Sequence, residues 1–474
     1  MIDKLKKVLK GFENKNIVII GDVMLDTYIH GSVDRISVEA PIMIHSSNGT
    51  NNTTYGIGGA GNVASNISSL GGKAYIFSFI GNDEEGKILK NLFEEKNIEH
   101  FLDESRQTSN KTRFLVENWR QVFRHDREDL SEKIFSNNLK SNLLEKVNKA
   151  DIIVISDYAK GTITKDLIDL LSEYRDKIIV DPKPKNKLLY SQSYLIKPNE
   201  KEIIGMYNSN NVEEAIRKLK KESNSNIILT RGKDGMMILT RDSDEIKSIP
   251  TYAKEVFNPS GAGDTVTATL ALALASGASF EEAAVLANHA AGISVEKRDV
   301  YSVRFSELES KIIKEERKIV NLDELKIIVK DYRERGGKIV WTNGCFDLIH
   351  SGHVKYLKEA KKYGDILIVG LDSDESVRKL KGNDRPLNNE NDRAEILSSL
   401  EPVDYVTIFQ AGEDKRYVSE LKPEIFAKGE DYTLEYLNSY IGNIINSYGG
   451  EIKLIPYIKG KSTTNLIERI KNNK

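Results

Sequence analysis

Asp264 ends a glycine-rich stretch, Asn258-Pro259-Ser260-Gly261-Ala262-Gly263-Asp264-Thr265, and a small-residue helical run from Val266 to Ala275 follows it. Glycines let the backbone turn sharply and bring N–H groups close to an anion. The helix points the positive end of its dipole at the same place. A carboxylate there can take a proton from a hydroxyl that attacks a phosphoryl group. The same residues also suit a tight turn before a core helix, and on these residues alone both readings stand. A second stretch, His350-Ser351-Gly352-His353, follows the run Lys338-Ile339-Val340-Trp341-Thr342 and the turn that begins at Asn343. Two imidazoles separated by two small residues can both face a phosphate chain at a helix N-terminus. There they stabilise charge developing on phosphorus and on departing pyrophosphate. Zinc is the other chemistry open to paired histidines, but no third ligand is evident. Cys345 reads as a small packing residue rather than a nucleophile.

The elements that must position these residues read as two α/β units. Ile17–Ile20 is a buried strand that delivers Asp22 to its carboxyl edge, where open α/β sheets place ligands. Gly31 to Thr54 is polar and reads as a protruding flap. Gly56 to Asn62 opens a helix, with Gly58 and Gly59 allowing close backbone approach and Asn62 offering a donor and an acceptor to a hydroxyl-rich ligand. Thr112–Glu117 and Gln121–His125 read as an antiparallel pair that joins the flap in a lid sheet. From Asp151 strand and helix alternate, which predicts a mostly parallel sheet with helices on its faces. Polar residues gather at the strand ends: Asp157-Tyr158, Asp181 to Lys183, Lys197 to Glu200, and Thr230 to Gly232. A charge-dense segment with helical patterning, 316–337, reads as a connection between domains at 1–315 and 338–474. Asn321 and Glu324 in it resemble a capping pair.

At 474 residues the chain is too long for one core. With 69 Lys+Arg against 71 Asp+Glu the net charge is −2, so no basic excess points to nucleic acid or to an anionic membrane. The single cysteine excludes an intrachain disulfide. No apolar run approaches the roughly 18 residues of a membrane span, and the charged N-terminus lacks a signal-peptide core. A cytoplasmic protein is expected.

NGCFDLIHSGH closely resembles the HxGH nucleotidyltransferase family, which includes cytidylyltransferases of small phosphorylated alcohols. Lys381-Gly382, Arg385-Pro386, Asn391-Asp392-Arg393, Lys428 to Tyr432 and Ser462-Thr463-Thr464 agree with it. The resemblance implies that His350 and His353 bind and polarise ATP phosphates, with Lys355 or Arg385 assisting. It also implies nucleotide contacts from Thr342, Gly344, Phe346, Lys428 and the hydroxyl-rich helix start Ser462, Thr463 and Thr464. The first 300 or so residues resemble the ribokinase-like (PfkB) sugar kinases through Gly21-Asp22, Gly58 to Asn62, Lys197 to Glu202, Thr230 to Gly232 and the Asp264 stretch. The implied base is Asp264, with Gly261, Ala262 and Gly263 as the anion hole. Asn199, Glu200, Lys201, Glu202, Thr230 and Gly232 are implied on ATP, and Glu202 near Mg²⁺. Asp22, Gly58, Gly59, Asn62 and Lys183 are implied on the sugar. The implied architecture is α/β: a ribokinase-like sheet with a small β lid, then a Rossmann-like nucleotidyltransferase domain. Mg²⁺ with ATP is implied in both.

The order of the two halves resembles the family of bifunctional heptose kinase–adenylyltransferases of lipopolysaccharide precursor synthesis. It implies phosphorylation of D-glycero-β-D-manno-heptose 7-phosphate at its anomeric hydroxyl and, after a separate phosphatase, conversion of heptose 1-phosphate to ADP-heptose. The 7-phosphate needs a basic partner, for which Arg113, Arg120, Arg124 and Lys183 stand as alternatives. Asn258 departs from the family, which commonly has an acidic residue there; Asn keeps an acceptor and loses the charge. Another sugar or polyol phosphate with CTP is an alternative. So is a non-catalytic sensor, which the presence of Asp264, His350 and His353 disfavours. The exposed edges of a lid sheet predict a homodimer through the lid.

Overall fold

The structure, a computed structural model, describes residues 2–47, 52–209, 211–251, 256–297, 299–316 and 318–456. The chain divides into two compact units, Met1–Leu308 and Glu309–Lys474.

The first unit is built on a sheet of nine strands among the described residues. Its first strand in chain order, Asn16–Gly21, runs parallel to Ile152–Ser156 on one side and to Lys73–Phe79 on the other. Beyond Ile152–Ser156 come Ile178–Asp181, Leu195–Ile196 and Asn226–Thr230 in chain order, all parallel. These strands are short β-branched runs because both their faces are buried. Val18, Ile20, Ile153, Ile155, Val180 and Ile227 share one core. Met236–Leu239 departs from the parallel pattern and pairs antiparallel with Asn226–Thr230. The link through Gly232–Asp234 is a hairpin turn, too short for the crossover a parallel pair needs. The chain reverses its direction of travel across the sheet between Asn16–Gly21 and Ile152–Ser156. Their carboxyl ends flank the crevice where such sheets bind ligands.

At Asp22 the chain leaves this sheet and enters a second one. Its order is Thr53–Gly59, Val23–His30, Ser109–Val116, Arg120–Arg127. The antiparallel pair expected in the lid is present, but its sheet partners are Val23–His30 and Thr53–Gly59, while the expected flap folds into a separate hairpin, Ser32–Ile36 with Met43–Ser46.

Among its described residues the second unit holds five parallel strands in the order Tyr405–Phe409, Ile366–Asp372, Ile339–Gly344, Ile425–Gly429, Glu451–Ile455. Here the reversal falls between Ile339–Gly344 and Ile425–Gly429. The helix Leu322–Glu334 begins with the Asn321–Glu324 capping box. Leu322, Leu325 and Val329, spaced to share one helical stripe, join Trp341 and Ile368 in the core. From Leu322 the connection expected at 316–337 is thus a core helix of the second unit.

Candidate active sites

Asp264 sits in the first turn of the helix Ala262–Ala275 and is 4% exposed. Gly261 caps that helix at φ 81°, a left-handed conformation that favours glycine, and a Cβ there would lie 2.8 Å from Asn62 Nδ2. The glycine therefore permits both the turn and the approach of Asn62. One carboxylate oxygen of Asp264 accepts from Asn62 Nδ2 at 2.8 Å and the other from the Tyr158 hydroxyl at 2.7 Å. Burial, and then the negative charge of Asp181, push its pKa up to about 6. A carboxylate so placed is a better proton acceptor than an exposed one and still ionises at neutral pH.

Asp264 opens onto a cleft of about 970 Å³. Gly261, Ala262, Gly263, Thr230 and Gly232 line it, as do Lys183 and the run Asn199 to Glu202. The first-turn N–H groups of Ala262–Ala275 are those that a helix leaves without a carbonyl partner of its own, which suits this end to an anion. Lys197 is buried beneath, 3.1 Å from Asp181, and Thr267 donates to Asp181 at 2.9 Å. Asn258 Oδ1 accepts from Ser260 N at 2.9 Å, a loop-shaping bond that needs an acceptor and no charge.

Four of the expected site features, Asp22, Asn62, the Gly58–Gly59 pair and Glu202, have partners or packing roles within the fold. Asp22 is fully buried and accepts from the backbone N–H groups of Tyr158, Lys160 and Thr162, with Arg106 at 3.6 Å. It fastens the lid junction to the loop after Ile152–Ser156. Asn62 gives its amide N–H to Asp264 and its oxygens to Asn66, so it orients the carboxylate. Gly58 and Gly59 serve packing: Cβ atoms there would meet Asp26 Oδ2 at 2.6 Å and the Asp22 carbonyl at 2.3 Å. Glu202, expected near a metal, has one oxygen on Lys183 and the other on Asn199 N in a capping box. No cluster of three or more His, Cys, Asp or Glu able to hold a metal occurs among the described residues. Tyr158, Asp181 and Lys197 were visible in the sequence only as polar strand ends.

In the second unit His350 caps the helix Ser351–Lys361, its Nδ1 accepting from Gly352 N at 3.2 Å. His353 Nδ1 accepts from His350 N at 3.4 Å, and the two rings stack with centroids 4.0 Å apart. With Nδ1 accepting, the neutral rings carry their proton on Nε2, the atom left to donate. Burial and the neighbouring His350 and Lys381 push His353 down to about 4, so it is neutral at pH 7. Lys428 reaches from the end of Ile425–Gly429 to the Asn343 carbonyl at 2.8 Å, across the reversal point of the sheet. Lys355 is exposed on the histidine helix.

Several residues expected at the nucleotide have supporting roles in the fold. Thr342 is fully buried and bonds the Tyr356 hydroxyl at 2.6 Å. Phe346 packs on His353, and Gly344 leaves room for the Phe346 ring. Arg385 is paired with Asp347, which also accepts from Leu387 N at 2.7 Å. Ser462, Thr463 and Thr464 lie outside the described residues. Arg393, fully buried, holds the Cys345 and Asn388 carbonyls and Asp374. Its motif was legible, but its role as the brace of the HxGH loop was not. The Cys345 thiol is pushed up to about 12 by burial and Asp372, which suits packing and not attack.

A buried carboxylate at a glycine-capped helix, beneath a β lid, and a paired-histidine turn at the crossover of a second parallel sheet together define a sugar kinase joined to a nucleotidyltransferase. The pfkB family carbohydrate kinase model matches residues 14–304, and the cytidylyltransferase-like model matches 341–468. The "Bifunctional protein HldE" of Sulfurimonas denitrificans is 40% identical over 98% of this chain and 99% of its own. That of Geobacter metallireducens is 41% identical over 96% and 95%. The chain belongs to the pfkB carbohydrate kinases and, along its whole length, to the bifunctional HldE family. Among solved structures, Arabidopsis thaliana ribokinase complexed with ribose and ATP aligns with 63% of this chain and 99% of its own at TM-score 0.52 and 18% identity. Phosphofructokinase-2 of Escherichia coli aligns with 63% and 98% at TM-score 0.52 and 19% identity. These two likenesses are of fold. No helix among the described residues is long and apolar enough to cross a membrane.

Proposed function

We propose that the first unit transfers the γ-phosphoryl group of ATP to the anomeric hydroxyl of D-glycero-β-D-manno-heptose 7-phosphate, giving the 1,7-bisphosphate. The second unit transfers AMP from ATP to heptose 1-phosphate, giving ADP-heptose and pyrophosphate, a precursor of lipopolysaccharide core. The observation that carries this reading is the pairing of both sites in one chain that matches the bifunctional HldE proteins end to end.

In the kinase, Asp264 takes the proton of the anomeric hydroxyl as that oxygen attacks phosphorus. Tyr158 and Asn62 hold the carboxylate in place. The first turn after Gly261 and the cation of Lys197 receive the phosphoryl charge. Phosphoryl transfer depends chiefly on such positioning and charge neutralisation. Mg²⁺ brought with the ATP phosphates would neutralise their charge. Asp181, Glu200 and Glu202 line the same cleft and would be the carboxylates to hold it, Glu202 in exchange for its bonds to Lys183 and Asn199. In the transferase, His350 and His353 donate from Nε2 to the phosphate chain, and Lys355 supplies charge to departing pyrophosphate. We place the enzyme in the cytoplasm, where ATP is available. It assembles as a homodimer through the lid, a reading supported by the exposed Ile36, Ile42, Met43 and Phe123. A monomer in sedimentation would contradict the dimer. Substrate assignment is tested with a panel of sugar phosphates and with ATP against CTP. The expected result is preference for heptose 7-phosphate and for ATP. Faster turnover of another sugar phosphate, or of CTP in the second step, would overturn it.

A further inference from the structure

The phosphate already present on the sugar needs a cation near the acceptor. The lid carries several, and the structure separates them by their partners. Residues paired across a sheet share a face. Lys111 pairs in register with Asp26 and Asp126, and Arg113 with Tyr28 and Arg124, so these six side chains lie on one face of the lid. On it Arg113 is bound to Asp26 at 2.6 Å, and Arg124 is bound to Asp126. Nearby, Lys160 is bound to Glu128. Lys183, across the cleft, is bound to Glu202. Arg120 lies exposed at the outer end of its strand, next to the turn Glu117–Trp119. Lys111 has no carboxylate within ion-pair distance among the described residues, although it is half-buried.

Lys183 Nζ and Lys111 Nζ both lie over the Tyr158 ring, Lys183 nearer at 5.2 Å, and it is the pairing of Lys183 with Glu202 that separates the two. Lys111 Nζ lies 6.0 Å from the centroid of the Tyr158 ring, and the hydroxyl of that ring is 2.7 Å from Asp264. An acceptor whose reacting hydroxyl meets Asp264 therefore runs along Tyr158 with its far end towards Lys111. We propose that Lys111 holds the phosphate that the sugar acceptor brings with it, and that Tyr158 spaces that cation from the base. The assignment rests on the reading of the acceptor as a sugar phosphate. Burial and the neighbouring Lys160 push the Lys111 ammonium below its usual range, and a phosphate would supply the counter-charge it lacks.

Steady-state kinetics of Lys111→Gln with heptose 7-phosphate and with the same heptose lacking the phosphate test this. The account expects KM for heptose 7-phosphate to rise about 10- to 100-fold, the usual loss for a hydrogen bond to a charged group, with kcat changed little. KM for ATP, and all constants on the unphosphorylated sugar, stay as in the wild type. An unchanged KM for heptose 7-phosphate overturns the proposal, and so does an equal loss on both sugars, which would mean that Lys111 acts through Tyr158. Wild-type enzyme inert towards heptose 7-phosphate overturns the substrate reading itself, and the assignment with it. Amine acylation of the wild type, read by mass spectrometry, keeps the test open if the variant does not fold. Heptose 7-phosphate should shield Lys111 while the unphosphorylated sugar leaves it reactive, and equal acylation with both contradicts the proposal.

Discussion

Asp264 does its work as a carboxylate whose pKa is raised to about 6 by burial and by Asp181. The base form is the ionised one, so kinase kcat/KM should rise with pH through about 6 and level off above it. Replacing Asp181 by Asn removes the second cause and should move that limb to lower pH; a limb that stays put would exclude Asp264 as its source. Asp264→Asn should cost the kinase roughly 10²-fold or more while adenylyl transfer continues. Asp22 belongs to a different class of effect. It is fully buried against Arg106 and three backbone N–H groups, so Asp22→Ala should destabilise the first unit by about 3–5 kcal/mol, read by chemical denaturation. Asp264 was legible because glycines and a helix adjoin it in sequence. The role of Asp22 was not, because its partners lie more than 80 residues away and come together only in the fold.

The helix Ser351–Lys361 shows how a local motif fixes an electrostatic state. His350 caps it and His353 lies against both His350 and Phe346, which drives His353 to about 4. The folded protein therefore binds fewer protons at this site than the unfolded chain between roughly pH 6.5 and 4. Its contribution to stability is complete above that window and is lost as pH falls through it. His353→Asn should flatten the pH dependence of the second unit's melting over this range, and should lower adenylyl transfer by about 10²-fold or more with the kinase intact. A melting profile as steep as the wild type's would contradict the assignment. The motif itself was plain in the sequence. What was not plain is that Thr342, Phe346 and Arg385 support it from beneath, since a buried hydroxyl and a contacting one look alike in one dimension.

Two sheets, each with its own core and its own reversal point, put two chemistries in one chain. The alternation of strand and helix from Asp151 onward was readable from short apolar runs and polar strand ends, whereas the lid strands Val23–His30 and Thr53–Gly59 were not read as strands. Within the expected helical linker, Leu322–Glu334 packs into the core of the second unit, a placement its dense charge hides because the apolar stripe is narrow. The two proposed reactions are distinguishable by their products, because the product of the first still carries a phosphate that must leave before the second. Mass analysis of the products from heptose 7-phosphate, ATP and Mg²⁺, with and without an added 7-phosphatase, tests them most directly. The account predicts heptose 1,7-bisphosphate alone without phosphatase, and ADP-heptose with pyrophosphate once it is added. Failure to form the bisphosphate, or a nucleotide sugar formed without the phosphatase, would contradict it.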